Sequence, residues 1–173
     1  MTRDAYVGFG SNLGDPARTL RLALARVATL GQIEAVSPVY RTAPVGGVAQ
    51  PDFLNAVALL RTALPAESLL RRLLAIELEF GRERRVRFGP RTLDLDLLWY
   101  GGVERSDDLL TLPHPRAHER EFVLRPLCDI APWLELHGGT AAGLLAALAP
   151  QGVADAGLPP LGPIPVEGSA AEA

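Results

Sequence analysis

The hydrophobic pattern of residues 5–100 switches repeatedly between the two-residue period of a strand and the 3.6-residue period of a helix. This order limits the chain to few architectures, because each apolar face must be buried against another element. It is typical of a ferredoxin-like, split βαβ sandwich of the α/β (α+β) class, in which helices pack on a mainly antiparallel sheet. We expect the helices on one face and the other face free to carry a site. The segments are strand 5–10, helix 15–31, strand 33–42, strand 53–62, helix 65–81 and a strand from residue 93 onward.

Both predicted helices carry their own boundary or packing signals. Asp15 is suited to the N-cap of the first helix, with Pro16 at the first helical position and Gly31 beyond the end. In the second helix, apolar residues recur at spacings of four, three and four, which predicts a core stripe. These residues are Leu69, Leu73, Ile76 and Phe80.

Composition favours a single globular domain. The chain has 173 residues, 48% of them hydrophobic, and a net charge of −3, which disfavours a nucleic-acid partner. No apolar run approaches the ~20 residues of a membrane span, and no secretory signal is recognised. We therefore expect a soluble protein without membrane association. Since one cysteine cannot form an internal disulfide, we expect it in the cytoplasm, and we expect a monomer. We predict a domain at 1–149 and a Pro/Gly/Ala-rich tail at 150–173 that is disordered or loosely docked.

The sequence contains no lysine, so its basic side chains other than histidine are all arginine. This excludes a Walker-type phosphate loop and Schiff-base catalysis, because both need a lysine amine. Phosphate would have to be held by arginine, backbone N–H groups or metal. The single cysteine, Cys128, lies in the apolar segment 126–133, where a buried inert thiol is favoured over a nucleophile.

Leucine and aspartate alternate strictly in the segment LDLDL at residues 93–97. In a strand this places Asp94 and Asp96 on one face, roughly 6.6 Å apart along the backbone. Such like charges repel each other, so the pattern indicates either a solvated polar face or a site for Mg2+ that also takes phosphate oxygens. The preceding loop is either a solvated charged loop or the second half of a phosphoryl-transfer site. Its arginines are Arg82, Arg84, Arg85, Arg87 and Arg91.

Several short motifs occur in order along the chain: GSNLGDP, VYRTAPVG, QPDFLNA, IELEFGR, GPRTLDLDLL and LTLPHPR. Through them the sequence resembles the 6-hydroxymethyl-7,8-dihydropterin pyrophosphokinases, enzymes of folate biosynthesis, over residues 5 to about 148. The resemblance implies a ferredoxin-like fold, in agreement with the order of elements. It also implies Mg2+-dependent transfer of the two terminal phosphates of ATP to the hydroxymethyl group of a reduced pterin, with release of AMP.

The resemblance also implies roles for individual residues. Asp94 and Asp96 would bind two Mg2+ ions and, with Arg82 and Arg91, form the catalytic set. Part of the ATP site would be a loop that closes over the nucleotide. The implied ATP contacts are Glu77, Arg82, Arg84, Arg87, Arg91, Thr111, His114 and Arg120. The implied pterin contacts are Thr42, Pro44, Val45, Phe53, Asn55 and Phe122, with the two phenylalanines stacking on the ring.

Two other classes of protein are the alternatives. A Rossmann oxidoreductase is disfavoured, because the glycines of GFGSNLG miss the G-x-G-x-x-G spacing. A ferredoxin-like RNA-binding module would present aromatic side chains on a basic sheet, whereas this sheet carries two aspartates. Without the resemblance, Phe53 and Phe122 would be interpreted as core residues, and His114 could have a purely structural role.

Overall fold

The computed structural model describes residues 1–44, 49–81 and 92–162 of the chain. Its helices are α1 (Pro16–Val27), α2 (Ala66–Glu79), α3 (Glu121–Ile130) and α4 (Ala141–Ala147), with short 3-10 helices at Ala28–Leu30 and Ala117–Glu119. Its strands are β1 (Arg3–Ser11), β2 (Gln32–Val36), β3 (Tyr40–Thr42), β4 (Phe53–Thr62), β5 (Asp94–Tyr100), β6 (Arg105–Ser106), β7 (Thr111–Leu112), β8 (Glu135–Leu136), β9 (Gly139–Thr140) and β10 (Val153–Asp155). None of the helices in these ranges combines the length and apolar character that a bilayer span requires.

The first helix begins at its predicted boundary. Asp15 is the N-cap, and its side chain accepts a hydrogen bond of 3.2 Å from the backbone N–H of Arg18. After α1 and its 3-10 turn, the backbone at Gly31 passes very close to β4. A Cβ atom at Gly31 would lie only 2.2 Å from the carbonyl oxygen of Arg61, so this crossing requires glycine.

The second helix buries the predicted core stripe. Leu69, Leu73 and Ile76 are buried, and Phe80, at the C-cap of α2, packs against the same core. The stripe is therefore confirmed, and the helix ends one residue before Phe80.

An antiparallel sheet forms the centre of the described fold, in the order β10-β3-β4-β1-β5, with β2 also paired to β4. The predicted strand 33–42 is in fact two strands, β2 and β3. The break falls at Ser37 and Pro38, because proline offers no N–H to the ladder. Ser37 keeps the connection attached to β4, since its N–H donates to Val57 O and its Oγ accepts from Val57 N, both at 2.9 Å.

Apolar side chains cover both faces of the sheet. On one face, Val7 and Leu60 are buried in the core that includes α1 and α2. On the other face, Tyr6, Val57 and Leu98 are buried in a second core with α3 and α4. The expectation of helices on one face only is therefore wrong, because the apolar residues after Gly102 form helices that pack on the second face.

The start of the predicted tail is part of the sheet. β10 pairs antiparallel with β3, with Val153 opposite Thr42 and Asp155 opposite Tyr40. Disorder is therefore not what residues 153–155 show, whereas the prediction of a disordered or loosely docked segment for the rest of the tail stays a prediction. Three residues are enough to form β10, because the edge of β3 offers backbone N–H and C=O groups for hydrogen bonding. The domain boundary at 149/150 stays a prediction.

Candidate functional site

The two aspartates of β5 lie on one face of the strand that ends the described sheet. Asp94 pairs with Gly10 of β1, and Asp96 pairs with Gly8. The alternation predicted from the sequence is confirmed, because the intervening leucines are buried in the first core. Since glycine has no side chain, nothing projects from β1 between the carboxylates and the next strand, β4.

Asn55 of β4 lies across β1 from Asp94, because Gly10 pairs with both residues. Two strand spacings correspond to roughly 10 Å between the backbones of Asn55 and Asp94. Asn55 is 7% exposed, and its Nδ2 donates a 3.0 Å hydrogen bond to Oγ1 of buried Thr42. A Cβ atom at Gly10 would lie 3.2 Å from Asn55 Oδ1, so glycine at this position leaves space for the Asn55 amide.

The sequence-predicted pterin residues of β3 and β4 are neighbours in the structure. Phe53 pairs directly with Thr42, and Pro44 follows β3 two residues later. Phe53 is only half-buried, unlike the residues of either core. The edge of the site predicted from Thr42, Phe53 and Asn55 is thus one continuous patch of the sheet.

A cavity of about 280 Å3 lies beside β5, between this strand and α2. It brings together three of the predicted ATP contacts, Glu77, Thr111 and His114, and it also reaches Asp96. Glu77 is only 3% exposed as a residue, although it carries a carboxylate. The apolar part of the wall was not predicted from the sequence, and it comprises Leu70, Leu74, Leu95, Leu97, Leu109, Leu110 and Pro115.

His114 enters this cavity as a neutral imidazole. Its backbone N–H donates to Leu98 O at 2.9 Å, and its Nδ1 accepts from the N–H of Arg116 at 3.2 Å. Burial lowers the pKa of His114 to about 4, and the positive charge of Arg120 acts in the same direction. With Nδ1 used as an acceptor, the proton of the neutral ring is on Nε2, which can donate to a ligand.

The lowered pKa of His114 predicts a pH-dependent stability. At pH values between the ordinary pKa of 6.5 and the folded pKa of about 4, the imidazole is protonated in the unfolded chain and neutral in the folded chain. The free energy of unfolding is therefore expected to fall as pH decreases through this window, by on the order of 2–3 kcal/mol from this group. Urea unfolding of wild type and His114→Gln at pH 7 and pH 4.5 measures it. Equal losses in both proteins would contradict the assignment.

Arg120 is the N-cap residue of α3, and its side chain is electrostatically coupled to the aspartates of β5. Burial and the nearby charge of Arg116 lower the pKa of the Arg120 guanidinium, whereas Asp96 and Asp94 oppose this decrease. The guanidinium stays protonated at neutral pH. Arg120 therefore brings a partly buried positive charge to the face that carries the two carboxylates.

Phe122, in the first turn of α3, packs against the second core but is itself only half-buried. The guanidinium carbon of Arg120 lies 5.5 Å from the centre of its ring, within the range of a cation–π contact. Because α3 packs against β3 and β4, Phe122 and Phe53 lie on elements that touch each other. The two rings need not touch each other in this arrangement, so a flat ligand could lie between them.

Two buried polar residues of the GSNLGDP motif hold the neighbouring segments in place. Ser11 Oγ donates to Thr92 O at 2.5 Å, which fixes the chain just before β5. Asn12 Nδ2 donates to Gln50 Oε1 at 2.9 Å and to Pro51 O at 3.0 Å, just before β4. These roles were not predicted from the sequence, although a polar pair between an apolar strand and a helix N-cap is a signal for them.

Five of the predicted site residues lie outside the described ranges: Arg82, Arg84, Arg87, Arg91 and Val45. Their assignments stay predictions. Cys128, by contrast, is described, and burial and the charge of Asp129 raise the pKa of its thiol. A raised pKa disfavours the thiolate, which supports the prediction of an inert cysteine.

Solved structures share this architecture. The chain superposes on an HPPK-DHPS in complex with substrates with a TM-score of 0.66 at 15% identity, covering 85% of this chain and 43% of that one. For wild-type HPPK-DHPS of Plasmodium falciparum with pteroate, the TM-score is 0.64 at 14% identity, covering 84% and 42%. This chain thus spans less than half of those two chains. It has the ferredoxin-like α/β fold of their matching domains.

Sequence similarity then identifies the family. Residues 6–132 match the model of 7,8-dihydro-6-hydroxymethylpterin-pyrophosphokinase. A protein of Methylorubrum extorquens named 2-amino-4-hydroxy-6-hydroxymethyldihydropteridine pyrophosphokinase is 46% identical over 155 residues, covering 88% of this chain and 98% of its own. One of the same name from Pseudomonas aeruginosa is 46% identical over 141 residues, covering 80% and 87%. The chain belongs to this pyrophosphokinase family, whose enzymes use ATP with magnesium.

Proposed function

We propose that this chain transfers diphosphate from ATP to the hydroxymethyl group of 6-hydroxymethyl-7,8-dihydropterin in folate biosynthesis. The observation that carries the proposal is the meeting of Glu77, Asp96 and His114 in one cavity that adjoins the sheet face of Asp94 and Asn55. The hydroxymethyl oxygen attacks the β-phosphorus of ATP. The bond from that phosphorus to the oxygen bridging to the α-phosphorus breaks, AMP leaves with this oxygen, and the hydroxyl proton is released.

Asp94 and Asp96 are the proposed ligands of two Mg2+ ions. Their carboxylates lie on the same strand face, and magnesium binds to a few carboxylates together with substrate phosphate oxygens. No cluster of three or more His, Cys, Asp or Glu side chains suited to a metal occurs in residues 1–44, 49–81 and 92–162, so these ranges offer no closed protein cage. When bound, the ions would neutralise phosphate charge and so assist phosphoryl transfer.

The cavity beside β5 is the proposed nucleotide side of the site. Its leucine wall suits a flat base, while Glu77, Thr111 and the Nε2–H of His114 supply polar contacts. Arg120 would add positive charge near the phosphates. Arg82, Arg84, Arg87 and Arg91 are proposed to bind the polyphosphate as well, with Arg82 and Arg91 acting on the transferred group.

The patch on β3 and β4 is the proposed pterin side. Asn55, held by Thr42, offers an amide to the hydrogen-bonding edge of the ring, and Phe53 and Phe122 offer two aromatic faces. Pro44 and Val45 are proposed to complete the wall. The distance of roughly 10 Å between the backbones of Asn55 and Asp94 leaves room for a pterin whose hydroxymethyl group points to the aspartates.

We further propose that the enzyme acts in the cytoplasm as a monomer that binds no nucleic acid. The net charge of −3 and the two aspartates on the sheet disfavour RNA. MgATP is expected to raise the melting temperature, because a ligand that binds only the folded chain stabilises it, whereas single-stranded RNA is expected to leave it unchanged.

The reaction itself provides the decisive test. Incubation with ATP, Mg2+ and 6-hydroxymethyl-7,8-dihydropterin is expected to yield AMP and the pterin diphosphate in equal amounts. No AMP should form when the pterin is omitted or when EDTA removes the metal. ADP as the main nucleotide product would contradict diphosphate transfer.

A further inference from the structure

Helix α3 does not cap its own N-terminus. The N-cap residue, Arg120, makes no capping hydrogen bond through its side chain, and it is not one of the small polar residues that commonly do so. The first backbone N–H groups of a helix lack intrahelical partners and need acceptors from elsewhere. This matters here because the first turn of α3 carries Arg120 and Phe122, one from each proposed substrate side.

Gln151, which is 30 residues further along the chain, supplies the missing cap. Its Oε1 accepts from the backbone N–H of Glu121 at 2.9 Å, and its Nε2 donates to Glu119 O at 2.9 Å. In return, the backbone N–H of Gln151 donates to Oε2 of Glu121 at 3.2 Å. Glu121 is 4% exposed, whereas Gln151 is exposed, so the two hydrogen bonds to Glu121 are partly buried and the one to Glu119 O faces solvent.

The same short stretch also reaches the pterin side. Two residues after Gln151, Val153 begins β10 and pairs with Thr42 of β3. Thr42 in turn holds the amide of Asn55. Residues 151–153 therefore join the first turn of α3 to the strand that orients the proposed pterin-binding amide.

We propose that Gln151 is a positioning residue, which holds the first turn of α3 so that Arg120 and Phe122 meet their substrates. This inference rests on the proposed function for its kinetic consequences, but the cap itself can be measured without substrate. Gln151 contacts neither substrate in this proposal and acts through the backbone of residues 119 and 121.

Gln151→Ala removes both side-chain hydrogen bonds and should loosen the turn. If the turn is formed in only a fraction of the molecules, the apparent affinity for each substrate is the intrinsic affinity multiplied by that fraction. A saturating substrate shifts all molecules to the formed turn, so kcat is affected little. We therefore expect KM for ATP and for the pterin, each measured with the other substrate well below saturation, to rise about fivefold. With both substrates saturating, kcat should change less than twofold. Amide hydrogen exchange of residues 121–124 should accelerate by a similar factor, with β4 unchanged.

A charge swap provides the rescue. Gln151→Glu alone places a second carboxylate beside that of Glu121, so it should raise KM at least as much as Gln151→Ala. Adding Glu121→Gln removes the like charge and retains an acceptor at both positions, so the double variant should recover part of the loss. Gln32→Ala, at the start of β2 and far along the sheet from α3, is the matched control and should behave as wild type.

The outcomes separate the two proposals. If wild type does not convert the pterin, the proposed function fails, and the exchange rate of residues 121–124 alone decides the role of Gln151. If wild type is active, unchanged KM values in Gln151→Ala overturn the positioning role. So does equal exchange of residues 121–124 in Gln151→Ala and wild type. A uniform loss of kcat without a change in KM would also overturn it, since that is not the signature of a partly unformed turn.

Discussion

Replacing Asp94 or Asp96 by asparagine is expected to lower kcat by about a thousandfold or more, corresponding to ~4 kcal/mol of transition-state stabilisation. Each substitution removes a proposed magnesium ligand that lies beside a glycine of β1. The free energy of unfolding should change by no more than ~1 kcal/mol, because the two carboxylates repel each other on the strand while Arg120 attracts them. Steady-state kinetics and urea unfolding measure both quantities.

The matched control is Asp4→Asn, which removes a strand carboxylate at the opposite end of β1. Asp4 forms an exposed ion pair of 3.3 Å with Arg61, and such pairs contribute at most about 1 kcal/mol. Its kcat should stay within twofold of wild type. Turnover within a few-fold of wild type in either Asp94→Asn or Asp96→Asn would contradict the metal assignment, and calorimetric titration with MgATP would then be expected to give unchanged affinity.

Local sequence patterns predicted the elements whose reasons are local. β4 has the predicted bounds, because a mainly apolar segment, interrupted by Asn55, lies there between turn signals. The prediction that Asp94 and Asp96 share one face of the strand followed from its two-residue period alone. The first helix began at its predicted cap for the same reason, since Asp15 and the N–H that it binds are three residues apart.

The features that the sequence did not reveal depend on partners far along the chain. α3 contains Pro126 and lacks a capping side chain at Arg120, so neither its interior nor its start carries the usual helix signals. It forms because its apolar face packs on β4 and because Gln151 supplies the cap. β10 has too few apolar residues to predict a strand, and it forms because β3 offers an unpaired edge.

The candidate site, too, could be predicted only in part from the sequence. The family motifs indicated which residue types would contact each substrate, but not what holds them. The hydrogen bond between Asn55 and Thr42 joins the neighbouring strands β4 and β3, and the neutral state of His114 depends on burial and on Arg120. These are properties of the assembled sheet and cavity, which no single segment of sequence contains.

Phe122→Ala is expected to weaken binding of the pterin about tenfold or more and to leave the affinity for MgATP within about twofold. An aromatic stacking pair contributes on the order of 0.5–1.5 kcal/mol beyond its buried area, and a tenfold change corresponds to ~1.4 kcal/mol. Phe53→Ala should act in the same direction. Equilibrium titrations with each substrate separately, together with thermal melting of each variant, measure these effects.

Leucine substitutions distinguish stacking from packing. Phe122→Leu and Phe53→Leu keep most of the apolar volume but remove the ring, so pterin affinity should still fall while the melting temperature stays close to wild type. Phe9→Leu, at a residue that is 3% exposed in the first core, is the control and should lower stability without selecting between substrates. If Phe122 were instead a core residue, its truncation would cost ~3–5 kcal/mol of stability and weaken both substrates together. Phe122 is half-buried and lies under the guanidinium of Arg120, which favours the first outcome.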